Sequence, residues 1–188
     1  SSKQPVIPGT SLAGTLRQRA LRIMHVVRPT GAEAFVDRLF GPRGDEVLTA
    51  SRLRVGESFI KGPSHDVANR RGRERVTRIQ IDRLTQGVTP GAFLEEELQV
   101  GGQFVVRIEV RDASAADAGL VLLLLKDLIS GDLPIGGTSS VGRGVMHGDG
   151  WIKANGDSLR RPLRDASEDD VEEFNRWIDA LHHDEVTT

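Results

Sequence analysis

Apolar residues recur at intervals of three and four in four stretches of the chain. A half-buried strand would bury every second residue instead, so this spacing predicts helices. Serine, a favoured N-cap, precedes three of these stretches, and Gly131 follows one of them as a stop signal. The predicted helices run from Ser11 to about Val27, from Ala32 to Phe40, from Ser114 to about Ile129, and from Ser167 to about Leu181.

Shorter apolar or alternating runs between these helices predict strands, and Thr89-Pro90-Gly91 predicts a turn between two of them. One long helix, from Ser114 to about Ile129, forms the crossover connection before the last predicted strand. This order fits an α+β fold of the ferredoxin-like kind that lacks its first strand. The predicted strands are Leu48–Ile60, Val76–Asp82, Phe93–Val100, Phe104–Val110 and Gly144–Lys153.

A glycine- and hydroxyl-rich segment, Leu133–Gly144, lies between the long apolar helix and the last predicted strand. Its four glycines allow backbone N–H groups to approach an anion closely, and its hydroxyls add hydrogen-bond donors. Arg143 adds a fixed positive charge that suits phosphate. We interpret the segment as a cradle for an RNA backbone. A tight connection between a helix and a strand is the alternative.

Residues 61–75 carry almost no apolar side chains. Such a segment cannot offset the entropy of packing into a core, so we expect a protruding, mobile loop or hairpin. Its polar, arginine-rich composition suits contact with phosphate. The candidate contacts in this loop are His65, Arg70, Arg71, Arg73 and Arg75.

Charge is distributed unevenly along the chain, although 25 Lys and Arg against 27 Asp and Glu give a net charge of only −2. No acid precedes Glu33, arginines cluster from Arg70 to Arg83, and acids gather from Asp165 to Glu185. This asymmetry favours a basic face for a phosphate chain and an acidic face for a basic neighbouring subunit. The alternative is that these charged residues form ordinary solvent-exposed surface and bind no partner.

Several classes of protein are excluded by composition. The chain has no cysteine, which excludes disulfide scaffolds, zinc ribbons and thiol nucleophiles and is compatible with a cytoplasmic location. The apolar run Gly119–Leu125 is far shorter than the roughly 20 residues that span a membrane, so we expect no membrane partner. Since the sequence begins without Met and inside a motif, we expect a processed piece or one segment of a longer polypeptide.

No set of residues forms a convincing catalytic, cofactor or metal site. Gly9–Thr15 has the glycine spacing of a phosphate-binding P-loop, but Thr15-Leu16 replaces the required Lys and hydroxyl residue. His25 lies among apolar neighbours, which favours a core position, and His182-His183 gives no two-ligand spacing on one helical face. We therefore predict no cofactor, no metal and no catalytic residue in this segment, and enzymatic activity stays uncertain.

Four segments resemble, in the same order, segments of the RAMP superfamily of CRISPR-associated proteins. Val6–Arg17 resembles the motif IPGSSLKGALR, and Ile81–Gly87 resembles the segment IDRLTGG. Ala50–Leu53 is similar to the strand after the first helices, and Ile135–Gly144 is similar to the C-terminal glycine-rich loop. The resemblance covers about residues 6–152 and extends to the backbone subunits of type III effector complexes.

The resemblance implies a ferredoxin-like, RRM-related palm that holds CRISPR RNA, polymerises along it and projects a hairpin thumb that kinks the guide–target duplex. Lys61–Arg75 would occupy the place of the thumb. The chain departs from the family pattern at Ala13, where a Lys is usual, so Arg17 or Arg19 would substitute for that phosphate contact. Target-cleaving members carry a catalytic Asp upstream of the first motif, where this chain has no acid before Glu33.

We therefore expect a guide-RNA-binding scaffold subunit of a type III effector complex in antiviral defence. Its expected partners are CRISPR RNA, target RNA and other effector subunits or copies of itself. Residues 1–156 would form the ferredoxin-like domain and residues 157–188 a C-terminal helical extension. The alternatives are an RNA-cleaving or guide-processing endoribonuclease of the same superfamily, using His65 or His25 or an upstream acid, and a protein-interaction module that uses the acidic terminal helix.

The first motif and the glycine-rich loop are expected to meet in one phosphate-binding rim, helped by the arginines of the thumb. The predicted RNA-binding residues are Gly9, Thr10, Ser11, Arg17, Arg19, His65, Arg70, Arg71, Arg73, Arg75, Gly136, Gly137, Ser139, Ser140 and Arg143.

Overall fold

The computed structural model describes residues 4–44, 49–62, 73–99, 101–154 and 159–183. The chain divides into a smaller unit, Ser1–Ile7 with Glu57–Val106, and a larger unit, Pro8–Gly56 with Arg107–Thr188. In chain order the elements are β1 (Val6–Ile7), α1 (Gly9–Val27), α2 (Ala32–Phe40), β2 (Leu53–Val55), β3 (Ser58–Phe59), β4 (Arg73–Ile81), β5 (Val88–Gln99), β6 (Ile108–Val110), α3 (Ala115–Ser130), a short 3-10 helix (Ser139–Val141), β7 (Trp151–Ile152), β8 (Arg161–Pro162) and α4 (Glu168–His183).

The helices lie where the apolar spacing predicted them, and local capping explains the ends of α3. The Ser114 hydroxyl accepts the N–H of Asp117, whose carboxylate accepts the N–H of Ser114, which together form a capping box. Gly131 ends α3 in the left-handed conformation, with φ of 91°. The predicted N-cap and stop signal of this helix are therefore confirmed.

The predicted start of α1 at Ser11 is wrong by two residues. Pro8 is the N-cap, in an extended conformation, and its carbonyl accepts the N–H groups of Ser11 and Leu12 at 3.1 and 3.2 Å. Proline has a fixed φ and no N–H to satisfy, so it suits a helix start. The Ser11 hydroxyl, which makes no capping hydrogen bond, is exposed on the first turn.

Strands in the larger unit are shorter than the sequence predicted. β2 pairs with β6 antiparallel, with Leu53 opposite Val110 and Val55 opposite Ile108. β7 pairs with β8, a strand that the sequence analysis did not predict. Only two residues of the predicted strand Gly144–Lys153 pair in this way, because the chain before them lies along the end of α3, where the Gly148 N–H donates to the Ile129 carbonyl at 3.1 Å.

The hydrophobic core lies entirely in the larger unit, as far as the described residues show. Side chains of α1, α2 and α3 pack together and against β2, and α4 covers the other side of α3. At Gly119 of α3 the backbone carbonyl of Trp177 lies so close that a Cβ would overlap it. The largest fully buried side chains are Phe35, Leu12, Leu16, Met24, Leu39, Leu120, Leu124, Leu181 and Val36.

A buried carboxylate joins three elements of this core. Asp117 has no solvent exposure, and it accepts hydrogen bonds from Arg52 at 3.0 Å and from Arg38 at 3.4 Å. Arg38 belongs to α2 and Arg52 immediately precedes β2. A buried charge is tolerated only when it is paired and hydrogen-bonded, so these arginines have a structural role.

The smaller unit contains the β1–β3 pair and a long hairpin of β4 and β5. Its turn is formed by Asp82–Gly87, so the turn predicted at Thr89-Pro90-Gly91 is wrong. Those three residues belong to β5, at a point where the register shifts between Ile79 and Ile81. A bulge of this kind accommodates Pro and Gly within a strand. Of the loop or hairpin predicted at residues 61–75, residues 73–75 belong to β4, and residues 63–72 lie outside the described residues.

Helices and strands are thus mixed, as the sequence predicted, and the strands of the described residues pair in four two-stranded sheets. The sequence analysis predicted no strand before α1, but β1 lies there and pairs with β3. Within the described part of the chain, no helix is both long enough and apolar enough to cross a membrane.

Candidate nucleic-acid interface

The glycine-rich segment forms a loop whose two ends are tied together. The Ile135 N–H donates to the Gly144 carbonyl at 2.9 Å. Gly144 has φ of 75°, and a Cβ at this position would overlap the carbonyl of Ile135. Only glycine fits there, because both the conformation and the close approach exclude a side chain.

Within the closed loop, several backbone N–H groups remain available to a ligand. The Val141 and Gly142 N–H groups bond within the short 3-10 helix. Five others donate to no acceptor among the described residues, and all five belong to exposed residues. A series of N–H groups without acceptors in exposed residues can bind an anion. These five are the N–H groups of Gly136, Gly137, Thr138, Ser139 and Ser140.

The N-terminus of α1 carries a second set of the predicted residues. Gly9 lies against β2, where a Cβ would overlap the carbonyl of Val55. Thr10 and Ser11 are exposed, and the first turn of α1 contains no acid. The positive end of the helix dipole is therefore not neutralised by a side chain of the helix.

The two predicted segments are not joined by any hydrogen bond or ion pair in the described chain. The Leu133 N–H, at the base of the glycine loop, donates to the Asp127 carbonyl, and the Asp127 carboxylate pairs with Arg19 at 2.6 Å. The base of the loop therefore lies near the middle of α1, and Gly9 lies about 15 Å from Arg19 along the helix axis. One rim formed by both segments stays a prediction.

Arg17 and Arg19 are held by other parts of the protein. The Arg17 guanidinium pairs with Asp37 and donates to the Gly41 carbonyl, and its side chain is only 14% exposed. Arg19 pairs with Asp127 of α3. These two ion pairs join α1 to α2 and α3, so we give both arginines a structural role. Contact of Arg17 or Arg19 with RNA stays a prediction.

The predicted thumb residues are only partly described. His65, Arg70 and Arg71 lie outside the described residues, and Arg73 is the first residue of β4. Arg75 follows on the same strand, where its exposed guanidinium lies 3.9 Å from the carboxylate of Glu95 on β5. An exposed pair of this kind contributes little to stability, so Arg75 remains available for a phosphate.

The hairpin turn is organised by a carboxylate. Asp82 accepts the N–H groups of Leu84 at 2.7 Å and Thr85 at 2.9 Å, while its own N–H donates to the Gly87 carbonyl. The hydrogen bond from Thr85, followed by that from Leu84, lowers the pKa of Asp82. The segment that resembles IDRLTGG is therefore the tip of a hairpin.

Three arginines that the sequence analysis did not select lie on β2 and β6 or beside them: Arg54, Arg107 and Arg111. Each alternates with an apolar residue, as in Arg52-Leu53-Arg54-Val55 and Arg107-Ile108-Glu109-Val110-Arg111. Alternation was the signal that could have found them, because it places these arginines on one side of the sheet. The described residues contain no group of three or more His, Asp or Glu that could hold a metal ion.

A model of the RAMP superfamily matches residues 1–147 of this sequence. The chain belongs to the RAMP superfamily. The resemblance seen in four short segments is therefore confirmed at the level of the family. This RAMP chain is also similar to a chain in the cryo-EM structure of the type III-B Cmr-beta complex bound to cognate target RNA. The TM-score is 0.50 at 11% identity, over 75% of this chain and 82% of the other. No curated protein matches.

Proposed function

We propose that this RAMP protein is a CRISPR-RNA-binding scaffold subunit of a type III effector complex, which binds the RNA backbone at the loop Ile135–Gly144. The observation that carries the proposal is the closed loop with five exposed N–H groups that have no acceptor among the described residues. Half to two-thirds of the hydrogen bonds between proteins and nucleic acids go to phosphate and sugar, and backbone N–H groups commonly donate them. Such contacts hold RNA without reading its sequence.

The palm in this proposal is a ferredoxin-like layer that consists of α1, α3, β2 and β6. Both helices pack against the same side of the two strands, where Leu53, Val55, Ile108 and Val110 join the hydrophobic core. Residues at the N-terminus of α1 and in the glycine loop are exposed. Other effector subunits, or copies of this chain, would bind beside it along the guide.

The thumb in this proposal is the hairpin of β4 and β5. Its tip carries an apolar side chain, Leu84, which is 95% exposed, and Ile81 and Val88 beside the turn are also exposed. An apolar side chain in water at the end of a hairpin is suited to contact with unstacked bases. The similarity in fold to a chain of a complex that is bound to target RNA supports the proposal that the palm and the thumb both contact RNA.

The glycine loop offers a test with a matched control. Gly144→Ala should open the loop, since its Cβ would overlap the Ile135 carbonyl, whereas a Cβ at Gly148, which lies outside the loop, would make only an ordinary contact with Ile129 at 3.9 Å. We expect Gly144→Ala to weaken binding of a fluorescein-labelled single-stranded RNA by at least roughly tenfold and Gly148→Ala to change it little. Fluorescence anisotropy measures the affinity, and thermal unfolding shows whether each variant is folded.

Binding should also weaken as salt is raised, because each neutralised phosphate releases counterions. A wild-type chain that binds no RNA, or binds it with no dependence on salt, contradicts the proposal. So does a folded Gly144→Ala variant that binds RNA as tightly as the wild type.

A further inference from the structure

The pair of strands β2 and β6 has a polar side that faces away from the hydrophobic core. Leu53 and Val55 of β2 and Ile108 and Val110 of β6 contact the core. Since side chains alternate along a strand, the residues between and beside them face the opposite side. We call that side the outer sheet face. It consists of Arg54 of β2 and Glu109 of β6, together with the residues that flank these strands, Arg52, Gly56, Arg107 and Arg111.

Cross-strand pairing fixes the arrangement of this face. Arg54 is opposite Glu109, and the backbone hydrogen bond from the Gly56 N–H to the Arg107 carbonyl, at 3.0 Å, places Gly56 opposite Arg107. Arg54 and Arg107 are therefore diagonal neighbours, whose side chains start about 7 Å apart. Gly56 contributes no side chain, so nothing on that strand covers the base of Arg107.

Two of the four arginines on the outer sheet face are held by the protein. Arg52 is 25% exposed and bonds to Asp117, while Arg111 donates to the Ser51 carbonyl at 2.9 Å. Arg54 and Arg107 are exposed, and neither guanidinium group has an ion pair or hydrogen bond with another described residue. Glu109 lies directly opposite Arg54, yet no ion pair links them within the described chain. The face therefore presents two guanidinium groups to an external anion.

The composition of the face favours a nucleic acid over a protein. Its six residues are four arginines, one glutamate and one glycine. Protein interfaces depend on central aromatic and apolar anchors, which are missing among these residues. Interfaces with nucleic acid are polar and positively charged, and arginine binds phosphate through several donors in a fixed plane.

We propose that the outer sheet face binds the phosphate groups of single-stranded RNA through Arg54 and Arg107, as a contact additional to the glycine loop. The inference rests on the proposed function, since it adds a second surface for the same RNA. Glu109 is the one acid on this face and opposes the binding of phosphate. Its removal therefore strengthens binding, while removal of the two arginines weakens it.

The test compares two double variants that lose the same charge. Arg54→Gln with Arg107→Gln removes the two exposed arginines of the outer sheet face. Arg22→Gln with Arg164→Gln removes two exposed arginines from α1 and from the segment after β8. With a fluorescein-labelled single-stranded RNA of mixed sequence, we expect the first variant to bind roughly tenfold more weakly and the control to stay within about twofold. The salt slope should fall by about 0.7 for each lost phosphate contact.

Glu109→Gln should have the opposite effect and increase the affinity for the same RNA. The proposal is overturned if both double variants weaken binding equally, because net charge alone would then explain the loss. It is also overturned if the first variant binds as the wild type does, the outcome expected if the face contacts an acidic protein. In either case the proposed function survives when Gly144→Ala weakens binding, whereas a wild-type chain that binds no RNA overturns both.

Discussion

A single carboxylate determines the geometry of the hairpin tip. Asp82 accepts two backbone N–H groups of its own turn, and Gln86 completes the turn with φ of 57°. An ionised carboxylate accepts these hydrogen bonds more strongly than a protonated one, which lowers its pKa. The order of the turn is therefore linked to the charge of this residue.

The tip should lose order in acid at a pH below the ordinary pKa of an aspartate. The folded pKa of Asp82 is lowered, so its contribution to stability is fully present above the unfolded pKa and is lost as the pH falls through the folded pKa. In an NMR titration, the amide shifts of Leu84 and Thr85 should move together with a midpoint below that of an unstructured aspartate. Asp82→Asn keeps an acceptor and should remove this titration; a midpoint at or above the unstructured value contradicts the assignment.

Residue-level features were predictable from the sequence when their partners lie close along the chain. Ser114 and Gly131 cap α3 as predicted, because a cap needs only its own first or last turn. Arg17 could not be assigned in this way, since its partner Asp37 is 20 residues away and only folding brings the two together. The same limit applies to Arg19 and Asp127, which are 108 residues apart.

At the scale of elements, the contact between α3 and α4 depends on a glycine. Gly119 allows the backbone of α4 at Trp177 to approach α3 more closely than any side chain would permit. Helices usually gain from replacing glycine with alanine, by about 1 kcal/mol, because alanine restricts the unfolded chain and favours the helix. At this contact the added methyl group must instead push the two helices apart.

The same substitution should therefore have opposite effects in two helices. Gly119→Ala should destabilise the protein by about 1–3 kcal/mol through overpacking. Gly14→Ala in α1, where a Cβ meets no atom within 4 Å, should stabilise it by up to about 1 kcal/mol. Urea denaturation measures both free energies of unfolding. Changes of the same sign would show that the spacing of α3 and α4 does not depend on Gly119.

Helices were predicted better than strands for a physical reason. The apolar stripe of a helix is visible within one stretch of sequence, and α2 was predicted with its observed bounds, Ala32–Phe40. A strand ends where its pairing partner ends, and that partner lies far away in the sequence, so the ends of a strand are not visible locally. Leu48–Ile60 was predicted as one strand, yet β2 and β3 pair with different strands on either side of Gly56.

At the scale of the whole molecule, burial is concentrated in one of the two units. Every buried hydrophobic side chain of the described residues belongs to Pro8–Gly56 or Arg107–Thr188. The hairpin of β4 and β5, in the smaller unit, exposes Ile79, Ile81, Leu84 and Val88. The sequence predicted a protruding loop or hairpin at residues 61–75, whose last three residues begin β4, but its composition did not indicate the apolar tip of the β4–β5 hairpin.

Since none of the hairpin side chains whose burial is described is buried in the core, the larger unit should fold without the hairpin. Replacing residues 75–97 with Asn-Gly would join the backbone pair Glu74 and Leu98 by a two-residue turn that suits a hairpin. We expect the far-UV circular dichroism of the helices to persist and Tm to stay within about 3 °C of the wild type. Leu120→Ala, at a fully buried position, should cost about 3 kcal/mol and lower Tm clearly. If the shortened chain loses as much stability as Leu120→Ala, the smaller unit contributes to the fold of the larger one, and the separation of core from hairpin is wrong.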